Sequence, residues 1–286
     1  MDRRLLTTEQ LEDLEREGYL VVDDVVDPAL VEGMLNACER IAHDLVKPRV
    51  EAGDIPAEVA ILPFDKQVIW LTRQSGRSYA QYFDISLPTA GDVTERTPIN
   101  LADEFFQTLR SPALLDVVSS VIGDEITANP TQHIRLKMPL DAVPEGSTGM
   151  VGTTPWHQDN GVLLPEADDT DVITVWTPLT RSTIQNGALR VIPGTHKLDL
   201  VAHCPGGAGY AIPDKIVKDM PAPQVLEMDP GSVLVMFRRT IHDSLPNQTR
   251  DELRISLDLR FQPTGQPTGR DKFPSFVLRS ASSPGS

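Results

Sequence analysis

The chain is poor in cysteine and in positive charge, and each shortage removes a class of function. Cys38 and Cys204 are the only cysteines among 286 residues, too few for a disulfide framework or a four-sulfur zinc site. Lys and Arg number 26 against 41 Asp and Glu, which leaves a formal charge of −15. An acidic excess of that size repels phosphate backbones and anionic lipid, so neither nucleic acid nor a membrane is an expected partner. No apolar run approaches the roughly 20 residues of a membrane span. The opening MDRRLLTTEQLEDLEREGY turns acidic at once and has no apolar secretion core, and SASSPGS at the end is no sorting tripeptide. A soluble cytoplasmic protein is the resulting expectation. Internal repeats and low-complexity linkers are also missing. What is present is an ordinary globular balance, 40% hydrophobic and 23% charged, with length enough for a sizeable core.

The two halves differ in texture. Thr7 and Gln10 have capping-box spacing and predict a helix over about 8–17 ended by Gly18. YLVVDDVV reads as a short strand, followed by a helix from about Pro28 to Val46 that Lys47-Pro48 should stop. Residues 49–100 carry few signals. Asn100 is a candidate N-cap for a helix over about 101–110, and Ser111-Pro112 opens another that runs to about Ile122 and ends at Gly123. From Glu125 onward, ITANPTQHIRLKM, VITVWTPL, GALRVI, QVLEM, SVLVMF and LRISLDLRFQ recur between Pro, Gly and Asn breakers. Strand candidates with no helical pattern between them predict an antiparallel sandwich or barrel. The expected organisation is one domain: a helical N-terminal part over about 1–123, a β core over about 124–275 and a frayed tail over 276–286.

Among the histidines, His43 and His203 read as ordinary surface or core residues. His157 stands out because WHQDNG places Asp159 two positions later. On a strand, residues i and i+2 share a face, so an imidazole and a carboxylate can converge there. His242 follows the buried-looking strand GSVLVMF and can close a two-histidine, one-carboxylate triad. That ligand set leaves adjacent metal positions open and marks non-haem Fe(II) oxygenases, whereas zinc hydrolases favour three histidines or two with a glutamate. Downstream, alternation in LRISLDLR puts Arg254, Ser256, Asp258 and Arg260 on one strand face and Leu253, Ile255, Leu257 and Leu259 on the other. The polar face is either solvated or grips a carboxylate through a forked guanidinium.

Taken together, the opening LTTEQLEDLEREGYLVVDDVVDP, WHQDNG, VWTPLT, NGALRVIPGTHK and HDSLPNQTRDELRISLDLRFQPTGQPTGR resemble the phytanoyl-CoA dioxygenase family of Fe(II)/2-oxoglutarate oxygenases. The resemblance implies a mainly β fold, a double-stranded β-helix (jelly roll, cupin-like) with packed helices. It implies Fe(II), 2-oxoglutarate and O2 as cofactor and co-substrates. His157, Asp159 and His242 match the iron ligands, and Arg254 matches the arginine that takes the distal carboxylate of 2-oxoglutarate, with Arg250 a minor rival. Ser244 matches a hydroxyl near the co-substrate and Trp176 an aromatic residue beside it. Gln132 is the residue favoured from the strand that also carries His133, Arg135 and Lys137, and Gln158 matches a glutamine often near the co-substrate. His196 is expected to be structural. The carboxylate of Asp159 argues against halogenation, since related halogenases lack it.

The implied activity is hydroxylation, or another oxidation, of an unactivated C–H in a small organic metabolite, a natural-product intermediate, with release of succinate and CO2. The same residues would serve desaturation, epoxidation or rearrangement. Alternatives are an acyl-CoA hydroxylase of the same family, for which no basic cluster is evident, a non-catalytic jelly-roll binding protein, and a metal-dependent hydrolase. Regions 60–100, 140–155 and 200–222 are the expected pocket and lid segments. A small-molecule substrate, with a homodimer allowed, completes the expectation for partners.

Overall fold

The computed structural model describes residues 3, 5–88, 93–147, 151–162, 164–206, 209–270 and 273–281. Parts of the expected loop and tail segments therefore lie outside the described residues, namely 89–92, 148–150, 207–208 and 282–286.

Helix α1 (Thr8–Glu17) carries the predicted reciprocal capping box between Thr7 and Gln10. It ends at Gly18, where φ is +83° and a Cβ would lie 2.1 Å from the His196 ring, so two constraints demand glycine. Strand β1 (Tyr19–Val22) follows, then α2 (Pro28–Glu51). Pro48 does not stop α2 as expected. The ring removes one helical hydrogen bond, but Leu45 and Val46 are buried, and the amide of Ala52 closes on the Pro48 carbonyl. Helices α3 (Phe64–Ser75) and α4 (Ala80–Phe83) occupy the stretch that carried few signals. Helix α5 (Asp103–Leu109) starts two residues later than Asn100 suggested, because the Asn100 side chain accepts from Ala102 N–H in the turn before it. Helix α6 (Pro112–Ile122) matches its predicted span and ends at Gly123.

The β region then runs β2 (Ile126–Ala128), β3 (His133–Lys137), β4 (Ile173–Pro178), β5 (Leu189–Val191), β6 (Cys204–Gly206), β7 (Gly209–Ala211), β8 (Gln224–Leu226), β9 (Val233–Phe237), β10 (His242–Ser244), β11 (Arg254–Pro263) and β12 (Phe276–Arg279). The short helix α7 (Asp214–Val217) lies between β7 and β8. All pairings within these strands are antiparallel. The larger sheet has the order β1-β9-β4-β11-β2-β12, with β3 also on β11, and the smaller sheet is β10-β5-β8. An isolated bridge between His157 and His242 extends the smaller sheet.

Two boundaries differ from the sequence expectation. The helical N-terminal part donates β1 to the larger sheet through Tyr19↔Met236 to Val22↔Val233. The tail is not frayed at its start: β12 pairs with β2, Leu278 is buried, and Arg279 bridges Asp116 at 2.9 Å.

Strand β11 explains how the sheet positions a site. Its apolar residues Ile255, Leu257, Leu259 and Phe261 join the core that the helices cover, each contributing about 2 kcal/mol by burial. Its polar residues face inward and are buried as well: Arg254 is 2% exposed, Ser256 0%, Asp258 6% and Arg260 2%. The solvated-face reading is thereby removed. Interior charges on this scale cost several kcal/mol each unless something compensates them.

Candidate metal centre and cationic chamber

His157 and His242 exchange both backbone hydrogen bonds at 3.0 Å, which sets their rings side by side with centroids 4.2 Å apart. Asp159 opens a 3-10 turn (Asp159–Val162), so the His-x-Asp triplet is not an extended strand as expected. The turn is pinned by Asn160 N–H on the Arg238 carbonyl and Gly161 N–H on the Gln158 carbonyl. Convergence nevertheless results: one ligand atom from each of His157, Asp159 and His242 lies within 4.8 Å of the others. His157 Nε2 stands 3.7 Å from Asp159 Oδ1, and all three residues are buried.

The surroundings fix each ligand. His157 Nδ1 donates to the Pro155 carbonyl at 2.9 Å, and His242 Nδ1 to the Thr240 carbonyl at 3.0 Å. Each acceptor lies two residues before its histidine. A carbonyl can only accept, so both rings carry the proton on Nδ1 and leave the Nε2 lone pair for a metal. Burial and the neighbouring His242 push His157 down to about 3, against the pull of Asp159, so this imidazole is neutral. Burial alone would raise Asp159. Arg260, the two histidines and the Thr174 hydroxyl outweigh it and hold the carboxyl well below its usual range. Arg260 Nη2 donates to Asp159 Oδ1 at 2.7 Å and Thr174 Oγ1 donates to Oδ2. Sequence reasoning missed these two supports. Register could have found them, because Arg260 and Thr174 are directly opposed on β11 and β4.

Deeper in the interior sits a cluster of cations. Arg254 and Lys137 face each other across β11 and β3. Arg254 Nη1 donates to Ser256 Oγ at 2.7 Å and its guanidinium lies 5.3 Å over the Trp176 ring, but its Nε has no acceptor. Among the described residues no carboxylate forms an ion pair with it. Burial and Arg135 push Arg254 down to about 9, although Asp258 pulls it up. Lys137 donates to Ser244 Oγ, which also accepts from Thr154 N–H at 2.9 Å. Burial and the Arg254 charge push Lys137 down to about 6. Its stem passes Gly187, where φ is +96° and a Cβ would fall 2.7 Å from Lys137 Cε and 2.8 Å from the Leu245 carbonyl. A buried guanidinium and a buried amine, neither ion-paired to a carboxylate among the described residues, fit an anionic ligand at this depth.

The structure thus brings Arg254, Ser244 and Trp176 together, and adds Lys137. Gln132 does not join them as a free contact. Its amide donates to the carbonyls of Asn129 (2.6 Å) and Arg260 (2.7 Å) and accepts from Arg260 N–H (3.0 Å). Gln158 is similarly turned away, spanning the Arg239 carbonyl and Val201 N–H. Arg250 is exposed, which removes it as a rival to Arg254. His196 packs on Phe237 and meets the Glu15 carbonyl, a structural role as expected. His203 is more than an ordinary residue: its Nε2 accepts from Gln158 N–H at 3.0 Å and its ring fills the space over Gly161, bracing the ligand turn.

Three buried donors of this type suit a first-row divalent metal with open positions, in which the Asp159 carboxylate, held by Arg260 and Thr174, would be the single negative ligand.

The family model described as phytanoyl-CoA dioxygenase matches residues 14–256. Human peroxisomal phytanoyl-CoA dioxygenase is 26% identical over 257 residues, covering 87% of this chain and 67% of the human protein. The 1-deoxypentalenic acid 11-beta-hydroxylase of Streptomyces arenae is 28% identical over 167 residues, covering 55% of this chain and 56% of the hydroxylase. Among solved structures, the epimerase SnoN in complex with Fe3+, alpha ketoglutarate and nogalamycin RO superposes with a TM-score of 0.57 at 17% identity, over 91% of this chain and 86% of that one. At that identity the likeness speaks to the fold.

Proposed function

The chain belongs to the phytanoyl-CoA dioxygenase family, and from that premise we propose that it is an Fe(II)/2-oxoglutarate-dependent oxygenase acting on an unactivated C–H bond of a small organic metabolite. The observation that carries this reading is the pairing of a buried His157-Asp159-His242 set with the buried Arg254 guanidinium and Lys137 amine, neither of which forms an ion pair with a carboxylate among the described residues. A zinc hydrolase has no use for a second chamber built around a buried guanidinium and a buried amine. A non-catalytic jelly roll has no use for both histidine tautomers being fixed.

His157, Asp159 and His242 would hold the iron, and Arg254 would take the distal carboxylate of 2-oxoglutarate over the face of Trp176. Bound iron with its co-substrates supplies the oxidising chemistry, in which 2-oxoglutarate becomes succinate and CO2. The protein's own groups orient and exclude water. Pro155 and Thr240 aim the imidazoles, Arg260 and Thr174 hold the carboxylate, and Lys137 adds charge through Ser244. The overall charge of −15 repels a dianion, so attraction must be local to this chamber. The same charge weighs against a coenzyme A thioester, whose phosphates need a basic surface. A free metabolite, of the natural-product kind named for the Streptomyces arenae hydroxylase, fits better. Incubation with Fe(II), 2-oxoglutarate and a metabolite panel under air should give succinate, together with a product gaining one oxygen or losing two hydrogens by mass spectrometry. Succinate at background across a broad panel would count against the reading.

The depressed Lys137 gives a pH prediction. Free Lys137, near 6, is largely neutral at pH 7.5; an incoming dianion favours its charged form and raises its pKa. Binding of 2-oxoglutarate to the metal-loaded protein should therefore take up a proton above pH 6, and affinity should fall as pH rises from there. Calorimetry in buffers of different ionisation enthalpy reads the uptake directly, and Lys137→Met should abolish it.

A further inference from the structure

The polar interior does not end at Arg260. While Arg260 Nη2 holds Asp159, its Nη1 donates to the Thr131 carbonyl at 3.4 Å, so Thr131 lies one guanidinium away from the metal-ligating carboxylate. Thr131 is 7% exposed, yet among the described residues its hydroxyl has no partner. Close by, Arg270 is half-buried, its Nε is buried without an acceptor, and among the described residues it makes no ion pair. Burial and the Arg260 charge both disfavour its charged form. Asp84 is engaged elsewhere, by His133 Nδ1 at 2.9 Å and Ile134 N–H at 2.9 Å.

Thr131, His133 and Arg270 line one small chamber of about 10 Å³, room for a single water-sized group such as one carboxylate oxygen. The chamber shares Ser86, Leu87, Pro130 and Phe273 with a cavity of about 490 Å³. Ile99, Phe105, Phe106 and Leu109 make much of that cavity's wall apolar. A cation and a hydroxyl lacking partners among the described residues, set at the edge of an apolar cavity, match an amphiphile with one anionic head.

We propose that Arg270 and Thr131 bind the carboxylate of the substrate while the adjoining cavity holds its skeleton, so that the substrate class is a free carboxylic acid with an apolar body. Only the word substrate rests on the oxygenase reading; the binding site stands on its own geometry. Arg270 is then a specificity residue, since it selects the acid over the corresponding alcohol or ester. This subsite is separate from the Arg254 chamber, which takes the co-substrate.

The test uses metal-free full-length protein, without 2-oxoglutarate, and compares decanoic acid with decan-1-ol by calorimetry. Wild type should bind decanoate about tenfold more tightly than decanol, the contribution of one charge-assisted hydrogen-bonded contact. Arg270→Gln should weaken decanoate about tenfold and leave decanol within about twofold. Arg254→Met should leave decanoate binding unchanged. Ile99→Ser, at a position 38% exposed and therefore tolerant, should weaken both ligands. The proposal is overturned if decanoate shows no binding at about 1 mM. It is equally overturned if Arg270→Gln affects acid and alcohol alike, or if the loss appears in Arg254→Met instead. Because neither iron nor co-substrate is present, failure here leaves the oxygenase reading standing, and failure of turnover leaves this binding result standing.

Discussion

His157→Ala or His242→Ala is expected to lower Fe(II) affinity by more than about a hundredfold and bring succinate formation to background, with the fold intact. Changing even an outer hydrogen-bond partner of a ligating histidine costs about 10–100-fold, so loss of the ligand itself should exceed that. Each ring is aimed by one carbonyl, and neither ring carries a salt bridge that folding depends on. The variants should therefore keep their far-UV circular dichroism and melt within a few degrees of wild type. Asp159 is a poorer first test. Its removal would strand Arg260, which is buried and whose charge is held up, against burial, by Asp159 and Asp258. A loss of activity there would mix misfolding with metal loss. Metal titration by calorimetry under nitrogen, alongside succinate assay, checks the histidine pair. Full activity in either variant would remove the proposed centre.

The second large effect has two parts of opposite sign. Arg254→Met should raise the 2-oxoglutarate requirement about a hundredfold or more, because truncating one side of a buried charge pair costs about 2–5 kcal/mol. The same substitution should stabilise the ligand-free protein by about 1–3 kcal/mol, since a flexible apolar side chain replaces an uncompensated buried cation. The native pKa of Arg254 is depressed to about 9, which is the thermodynamic statement that folding strains the charged form. A residue kept for stability would behave the other way, losing thermal stability on replacement. Melting curves with and without 2-oxoglutarate separate the two: wild type should gain stability from the ligand and Arg254→Met should not.

Much of this was legible in the sequence, for reasons that can be traced to single elements. The capping box at Thr7 and Gln10, the proline-led start of α6 and the alternation in β11 are local signals, and each produced its element. Alternation also placed Arg254, Ser256, Asp258 and Arg260 on one face, though not whether that face was wet. The fold decides this, because β11 is central, with β4 on one side and β2 and β3 on the other. Helix α3 escaped notice because its buried positions include Gln67 and Thr72, so no clean apolar stripe marks it. Gln132 and Gln158 show another limit. A glutamine's sequence position says that an amide is near a site, but backbone carbonyls tens of residues away decide where it turns. Lys137 stood on the right strand, yet only its register against Arg254 reveals two cations sharing one buried chamber.

The measurement that bears most directly on the central claim is anaerobic titration of 2-oxoglutarate into the Fe(II)-loaded protein, followed in the visible. A weak metal-to-ligand charge-transfer band is expected that saturates at one 2-oxoglutarate per chain, is lost in His157→Ala and needs far more co-substrate in Arg254→Met. Absence of the band at saturating iron and 2-oxoglutarate, or an unchanged band in His157→Ala, would contradict it.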